Sequence, residues 1–130
     1  MKRPHEKLKV WQLSVELISR LYTLTGKFPD AERYGLTSQI RRSGVSIPAN
    51  IAEGAARGSD GDYLRFLRIS RGSLSELETL LLIAKNLHFI DDSDYASSLQ
   101  ECETIGSLLE GLSRRLKASL ISEEDPAYDA

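Results

Sequence analysis

Leu36-Thr37-Ser38-Gln39-Ile40-Arg41-Arg42-Ser43-Gly44-Val45-Ser46-Ile47-Pro48-Ala49-Asn50-Ile51-Ala52-Glu53-Gly54-Ala55-Ala56-Arg57 repeats its apolar residues every three or four positions, without strand alternation. The pattern begins at about Ala31 and predicts a helix to Arg57. At about 100° per residue it has three faces. Leu36, Ile40, Ile47 and Ile51 form an apolar one, and Val45, Ala49, Ala52 and Ala56 form a small apolar one open to close approach by another helix. Gln39, Arg42, Ser46, Asn50, Glu53 and Arg57 stack as a polar ridge. Pro48 has no N–H for the carbonyl of Gly44, so a kink or local break is expected there.

Outward from this segment the same period recurs. Upstream, Val10, Leu13, Leu17, Leu21 and Leu24 form one row and Trp11, Val15, Ile18 and Tyr22 a second, with Gly26 and Phe28-Pro29 as the stop. Downstream, Ser59 and Asp62 read as a reciprocal capping pair for a helix running to about Leu87. Its run Leu80-Leu81-Leu82-Ile83-Ala84 is apolar on most sides, which assigns Leu80, Leu82 and Ile83 to a subunit interface. Asp91-Asp92-Ser93-Asp94 suits the positive end of a fourth helix, whose stripe is Leu99, Cys102, Leu109, Leu112, Leu116 and Leu120. The expected fold is all-α: an antiparallel up-down-up-down four-helix bundle over residues 1–121 with a proline-kinked second helix, followed by a flexible acidic tail, 122–130.

Composition narrows the function. The 130 residues make one domain, and 17 Lys plus Arg against 19 Asp plus Glu leave a net charge of −2, so binding a polyanion by bulk charge is not expected. The charge is unevenly spread: residues 1–72 carry 13 basic and 7 acidic side chains, whereas residues 73–130 carry 4 and 12. Such a dipolar surface suits self-assembly or one-sided anion binding, and equally the plain solvation of outer faces. Neither a signal core nor an apolar run of the ~20 residues that span a bilayer is present, and one cysteine fits a reducing compartment, so a cytoplasmic location without membrane contact is expected.

Chemistry is sparse. Lys85 and Lys2 stand three residues before His88 and His5, where a di-iron bundle needs glutamates, and no phosphate-binding glycine loop or nucleophile with a nearby base occurs. No enzyme activity, cofactor or metal is expected. Arg41, Arg57, Arg65, Arg68 and Arg71 lie on or beside outer faces, where guanidinium groups can meet phosphates; without aromatic interleaving, sequence reading is not expected, and solvated surface charge is the competing account. The ridge residues Gln39, Arg42, Ser46, Asn50 and Glu53 are read as partly buried groups that pair with one another and set helix register.

Phe28-Pro29, Tyr34 to Ser43, Ser46-Ile47-Pro48-Ala49-Asn50-Ile51-Ala52-Glu53-Gly54 and Arg57 resemble the bacterial four-helix bundle family of proteins encoded in 23S rRNA intervening sequences. Phe66-Leu67-Arg68-Ile69-Ser70-Arg71-Gly72-Ser73-Leu74-Ser75-Glu76-Leu77-Glu78-Thr79 and the segment Leu8 to Phe28 extend the likeness. That family includes accessory proteins of diversity-generating retroelements, homopentameric barrels that bind a reverse transcriptase and nucleic acid through a basic surface. The resemblance implies a ring of five protomers, no catalytic residues, and structural roles for Gln39, Arg42, Asn50 and Glu53. The partners it implies are further copies of the chain, RNA or DNA, and a reverse transcriptase or other protein. The alternative is a structural or protein-binding ring without nucleic acid.

Overall fold

The computed structural model describes residues 3–124. Four helices carry the chain: α1 Lys9–Thr25, α2 Leu36–Ala56, α3 Asp60–Asn86 and α4 Asp92–Glu124, with short 3-10 turns at Pro4–Lys7 and Asp30–Glu32. No strand occurs among the described residues, and the arrangement is consistent with a four-helix bundle.

In α1 the first apolar row turns inward, with Val10, Leu17, Leu21 and Leu24 buried. The second row lies along its margin: Trp11 and Ile18 are half-buried, and Val15 and Tyr22 are exposed. Helix α2 begins five residues later than the apolar pattern suggests. Pro29 leads into the 3-10 turn, and Oε1 of Glu32 accepts a hydrogen bond from the N–H of Leu36 at 3.1 Å, so the acid read as helical instead caps the helix that follows.

Pro48 lies inside α2, and the helix is continuous through it, so the local break does not occur. The buried face of α2 contains Ile40, Ser43, Gly44, Ile47, Pro48, Ile51 and Gly54. Two glycines on that face set its distance from the neighbours. A Cβ on Gly44 would stand 2.6 Å from Leu21 Cδ1, and one on Gly54 would stand 2.9 Å from Phe66 Cβ. Close approach within the protomer therefore uses Gly44 and Gly54, whereas Val45, Ala49 and Ala56 of the small face are exposed. An alanine methyl keeps a neighbour farther away than a glycine hydrogen does.

Ser59 caps α3, its Oγ accepting from the N–H of Asp62 at 3.2 Å. Leu67, Leu74, Leu77, Leu81 and Ala84 pack into one core with Leu17, Leu21, Ile40, Ile47, Ile51, Cys102, Ile105 and Leu109. Leu80 belongs to this core at 7% exposure, which corrects its assignment to a subunit interface. It follows Leu77 by three residues and precedes Ala84 by four, so it shares their inward face. Leu82 and Ile83 are exposed, at 43% and 41%.

His88 takes a left-handed conformation, φ 64°, in the α3–α4 turn. Its N–H donates to the carbonyl of Lys85, and that of Phe89 donates to the carbonyl of Ala84, closing the end of α3. Asp91 caps α4, Oδ1 accepting from the N–H of Asp94 at 2.7 Å. Helix α4 continues to Glu124, so Ser122, Glu123 and Glu124 of the expected tail are helical; residues 125–130 lie outside the described residues.

Contacts between helices run in opposing order. Thr25 and Leu21 of α1 meet Arg41 and Gly44 of α2; Ser46, Ile47 and Gly54 of α2 meet Ser73, Ser70 and Phe66 of α3. Leu74 and Arg71 of α3 meet Gly106 and Glu110 of α4, and Arg20 of α1 forms an ion pair with Glu101 of α4. Inside, the hydroxyls of Ser14 and Thr25 return to carbonyls one turn back, and Ser70 Oγ donates across to the carbonyl of Ile47 at 2.9 Å. Ser98 Oγ is buried without a partner among the described residues.

Candidate nucleic-acid interface

The five candidate arginines do not form one free surface. Arg41 is half-buried: its Nε donates to Thr25 Oγ1 at 2.9 Å, and its guanidinium lies 4.1 Å from the centre of the Tyr22 ring. It fastens α1 to α2 through Nε, so that nitrogen is already engaged within the chain. Thr25 Oγ1 accepts from Arg41 Nε while donating its own hydrogen to the carbonyl of Leu21, as a hydroxyl can.

The other four share one region. Arg57 at the end of α2 and Arg65 in α3 both lie over the ring of Phe66, 4.9 Å and 4.6 Å from its centre. Aromatic interleaving is therefore present, although it spans two helices. The ring is only 8% exposed, so it supports the guanidinium groups without offering a face to a base. Arg57 donates to Glu53 at 2.6 Å, Arg65 stands 3.7 Å from Asp62, and Arg71 pairs across to Glu110 of α4 at 2.5 Å. Arg68 is exposed and makes no ion pair among the described residues.

The polar ridge separates into two units rather than one paired network. Asn50 Nδ2 donates to the carbonyl of Ser46 at 2.8 Å and to its Oγ at 2.9 Å, and the Ser46 and Ser73 hydroxyls hydrogen-bond at 2.7 Å, joining α2 to α3. Glu53 pairs with Arg57 instead of Arg42. Gln39 and Arg42 are exposed and have no side-chain hydrogen bond or ion pair among the described residues. They border a groove with Val45, Ser73 and Glu76, too far along the helix from Glu53 to share its carboxylate.

Sequence reading missed Arg114. It borders an open groove of about 560 Å³ between α3 and α4 together with Arg71, Glu110, Glu78 and Glu103. The available signal was spacing: Arg114 and Lys117 follow Glu110 by four and seven positions, one helical face. In that groove burial pushes the Glu78 carboxyl up from its usual range, and the Glu103 carboxylate adds to the effect.

Little here resembles reactive chemistry. Burial pushes the Cys102 thiol up to about 12, with Glu78, Glu101 and Glu103 adding to it, so the thiol stays protonated at neutral pH. Burial also raises Tyr63, partly opposed by Arg115. Among the described residues no cluster of three or more His, Cys, Asp or Glu side chains is placed to hold a metal ion. None of the described helices is long and apolar enough to cross a membrane.

The sequence profile of 23S rRNA-intervening sequence proteins matches residues 6–111. The chain belongs to this family. A solved relative is a protein of unknown function from the S23 ribosomal protein family of Bacteroides thetaiotaomicron, 28% identical, with a TM-score of 0.75 over 80% of this chain and 97% of its own. No curated protein matches the chain. The family match includes Arg41, Arg57, Arg65, Arg68, Arg71 and the ridge, whereas Arg114 and Lys117 lie beyond it.

Proposed function

We propose that this member of the 23S rRNA-intervening sequence protein family is a non-enzymatic, self-associating scaffold that binds RNA or DNA through Arg57, Arg65, Arg68 and Arg71. The observation that carries the reading is the grouping of these four side chains around Phe66 and the α3–α4 edge, with Arg68 unpaired. In the same proposal the helices run antiparallel, up-down-up-down, as the opposing contact order supports, and α2 bends at Pro48, whose missing N–H leaves the carbonyl of Gly44 without its helical donor. Exposed aliphatic side chains at Val15, Val45, Leu82 and Ile83 support self-association, and the family likeness adds a ring of five to the proposal. Several copies of a weak arginine patch on one ring bind by avidity, with salt-sensitive affinity and little sequence preference. A reverse transcriptase is the protein partner that the family likeness adds.

Light scattering coupled to size exclusion, with and without a generic RNA, tests this. The expected result is a pentamer that shifts with RNA at about 50 mM salt and loses the shift by about 200 mM. A pentamer indifferent to RNA leads to the second reading, a protein-binding ring. That reading draws on the intramolecular pairing of Arg57, Arg65 and Arg71. A monomer overturns the assembly.

A further inference from the structure

Arg41 and Arg42 are consecutive in α2, and neither forms an ion pair among the described residues. Both border an open groove of about 630 Å³, to which α1 adds Tyr22, α2 Gln39 and Ser46, and α3 Ser73 and Glu76. A space of that size takes a small molecule. Arg41 is half-buried and held by uncharged groups: Nε donates to Thr25 Oγ1 at 2.9 Å, and the guanidinium lies 4.1 Å from the centre of the Tyr22 ring. The N–H donors of Nη1 and Nη2 remain, on a plane already fixed in place. Arg42 and Gln39 are exposed, without a side-chain hydrogen bond among the described residues.

The serines add one more donor. Ser46 Oγ accepts from Asn50 Nδ2 and shares a single hydrogen bond with Ser73 Oγ at 2.7 Å. Two hydroxyls carry two hydrogens, and that bond uses one. Whichever serine donates, its partner keeps a hydrogen with no acceptor among the described residues. Ser43 does not contribute, because its Oγ donates to the carbonyls of Gln39 and Ile40. Against these donors stands one acid on the groove, Glu76, exposed and without an ion pair among the described residues. Contacts of α2 with α3 run in opposing order, so Arg42, one turn before Ser46, stands level with the turn after Ser73, where Glu76 lies. Opposite charges line one groove without meeting.

We infer that this groove binds a small amino acid, its carboxylate received by Arg41, Arg42 and the remaining serine hydroxyl, and its ammonium group facing Glu76. A planar carboxylate matches the parallel donors of a guanidinium. A phosphate ester offers similar acceptors but brings a second negative charge towards Glu76, whereas an ammonium group turns that carboxylate from an obstacle into a contact. A protein partner fits less well: Val45 is the one exposed aliphatic side chain among the described residues on the groove, and the centres of protein interfaces are depleted of charge. The site uses none of Arg57, Arg65, Arg68 and Arg71, so it is independent of nucleic-acid binding.

Saturation-transfer NMR on the full chain tests this with four probes: glycine, γ-aminobutyrate, butyrate and butylamine. At least one of the two amino acids should bind about tenfold or more tightly than butyrate, and butylamine should not bind. Arg42→Gln should weaken that amino acid about tenfold or more. Glu76→Gln should bring it to the level of butyrate without weakening butyrate itself. Lys117→Gln, an equal charge loss at an exposed position on α4, should change neither. The side chains of Arg42 and Glu76 make no ion pair within the fold, so both variants should keep the wild-type helical circular dichroism. Butyrate binding as tightly as both amino acids would overturn the ammonium contact and with it the ligand class. Binding that survives Arg42→Gln, or that falls equally in Lys117→Gln, would overturn the site. No binding of any probe at millimolar concentration would overturn the whole inference and leave the nucleic-acid reading untouched.

Discussion

His88 holds a left-handed backbone conformation that side chains with a Cβ adopt at a cost of roughly 1–2 kcal/mol, and its imidazole is exposed. Its task is to let the N–H groups of His88 and Phe89 return to the carbonyls of Lys85 and Ala84. His88→Gly keeps both bonds and removes the Cβ conflict, so stability to urea should rise by about 1 kcal/mol. A loss of stability would show that the imidazole itself matters. Glu78 presents a different single-residue case. Its folded pKa is raised above the ordinary glutamate value, first by burial and then by Glu103, so the folded state binds the proton more readily. The resulting stability is complete below the unfolded value and is lost as pH rises through the folded one. Glu78→Gln should therefore melt at a higher temperature than the wild type at neutral pH, and the difference should vanish once the wild-type carboxyl is protonated. Thermal unfolding across that pH window checks the sign.

Within the elements, glycines of equal sequence character have opposite roles. Gly54 in α2 stands where a Cβ would come 2.9 Å from Phe66 Cβ and 3.2 Å from the backbone oxygen of Tyr63, so Gly54→Ala should destabilise by about 1–3 kcal/mol despite the helix preference of alanine. Gly72 in α3 has nothing within 4 Å of a Cβ, so Gly72→Ala should stabilise by about 0.5–1 kcal/mol. Calorimetric melting of the two variants should move in opposite directions. The wheel pattern made the four helices legible because apolar periodicity is local. It misplaced the start of α2, where Glu32 acts through its side chain as a cap, and it assigned the close packing to alanines, since nothing local distinguishes a buried glycine from a breaker. The site was less legible still. Arg57, Arg65 and Phe66 meet only after the α2–α3 turn folds back, and Arg114 and Lys117 were hidden by the acidic total of their half.

For the whole molecule, the proposed self-association turns on which apolar side chains hold the fold and which stay outside its core. Leu80, Leu82 and Ile83 lie within four residues of one another and are all aliphatic, yet Leu80 lies in the core at 7% exposure while Leu82 and Ile83 stand at 43% and 41%. Removing core methylenes costs the transfer energy and leaves a cavity, so Leu80→Ala should destabilise the protomer by about 2–5 kcal/mol, whatever the assembly does. Leu82→Glu/Ile83→Glu alters a face that the protomer itself does not cover. Its helical circular dichroism should match the wild type, because no carboxylate is forced into the core. Its mass by light scattering should fall from that of the proposed assembly to that of a single chain, because carboxylates at a shared apolar contact would be stripped of water without partners. The pair of variants separates the two roles by two readings of one sample. Loss of helicity in Leu82→Glu/Ile83→Glu would place both side chains among the supports of the fold, and an unchanged mass would overturn the proposed contact through Leu82 and Ile83, leaving Val15, Tyr22 and Val45 as the other exposed apolar side chains to test if the wild type assembles.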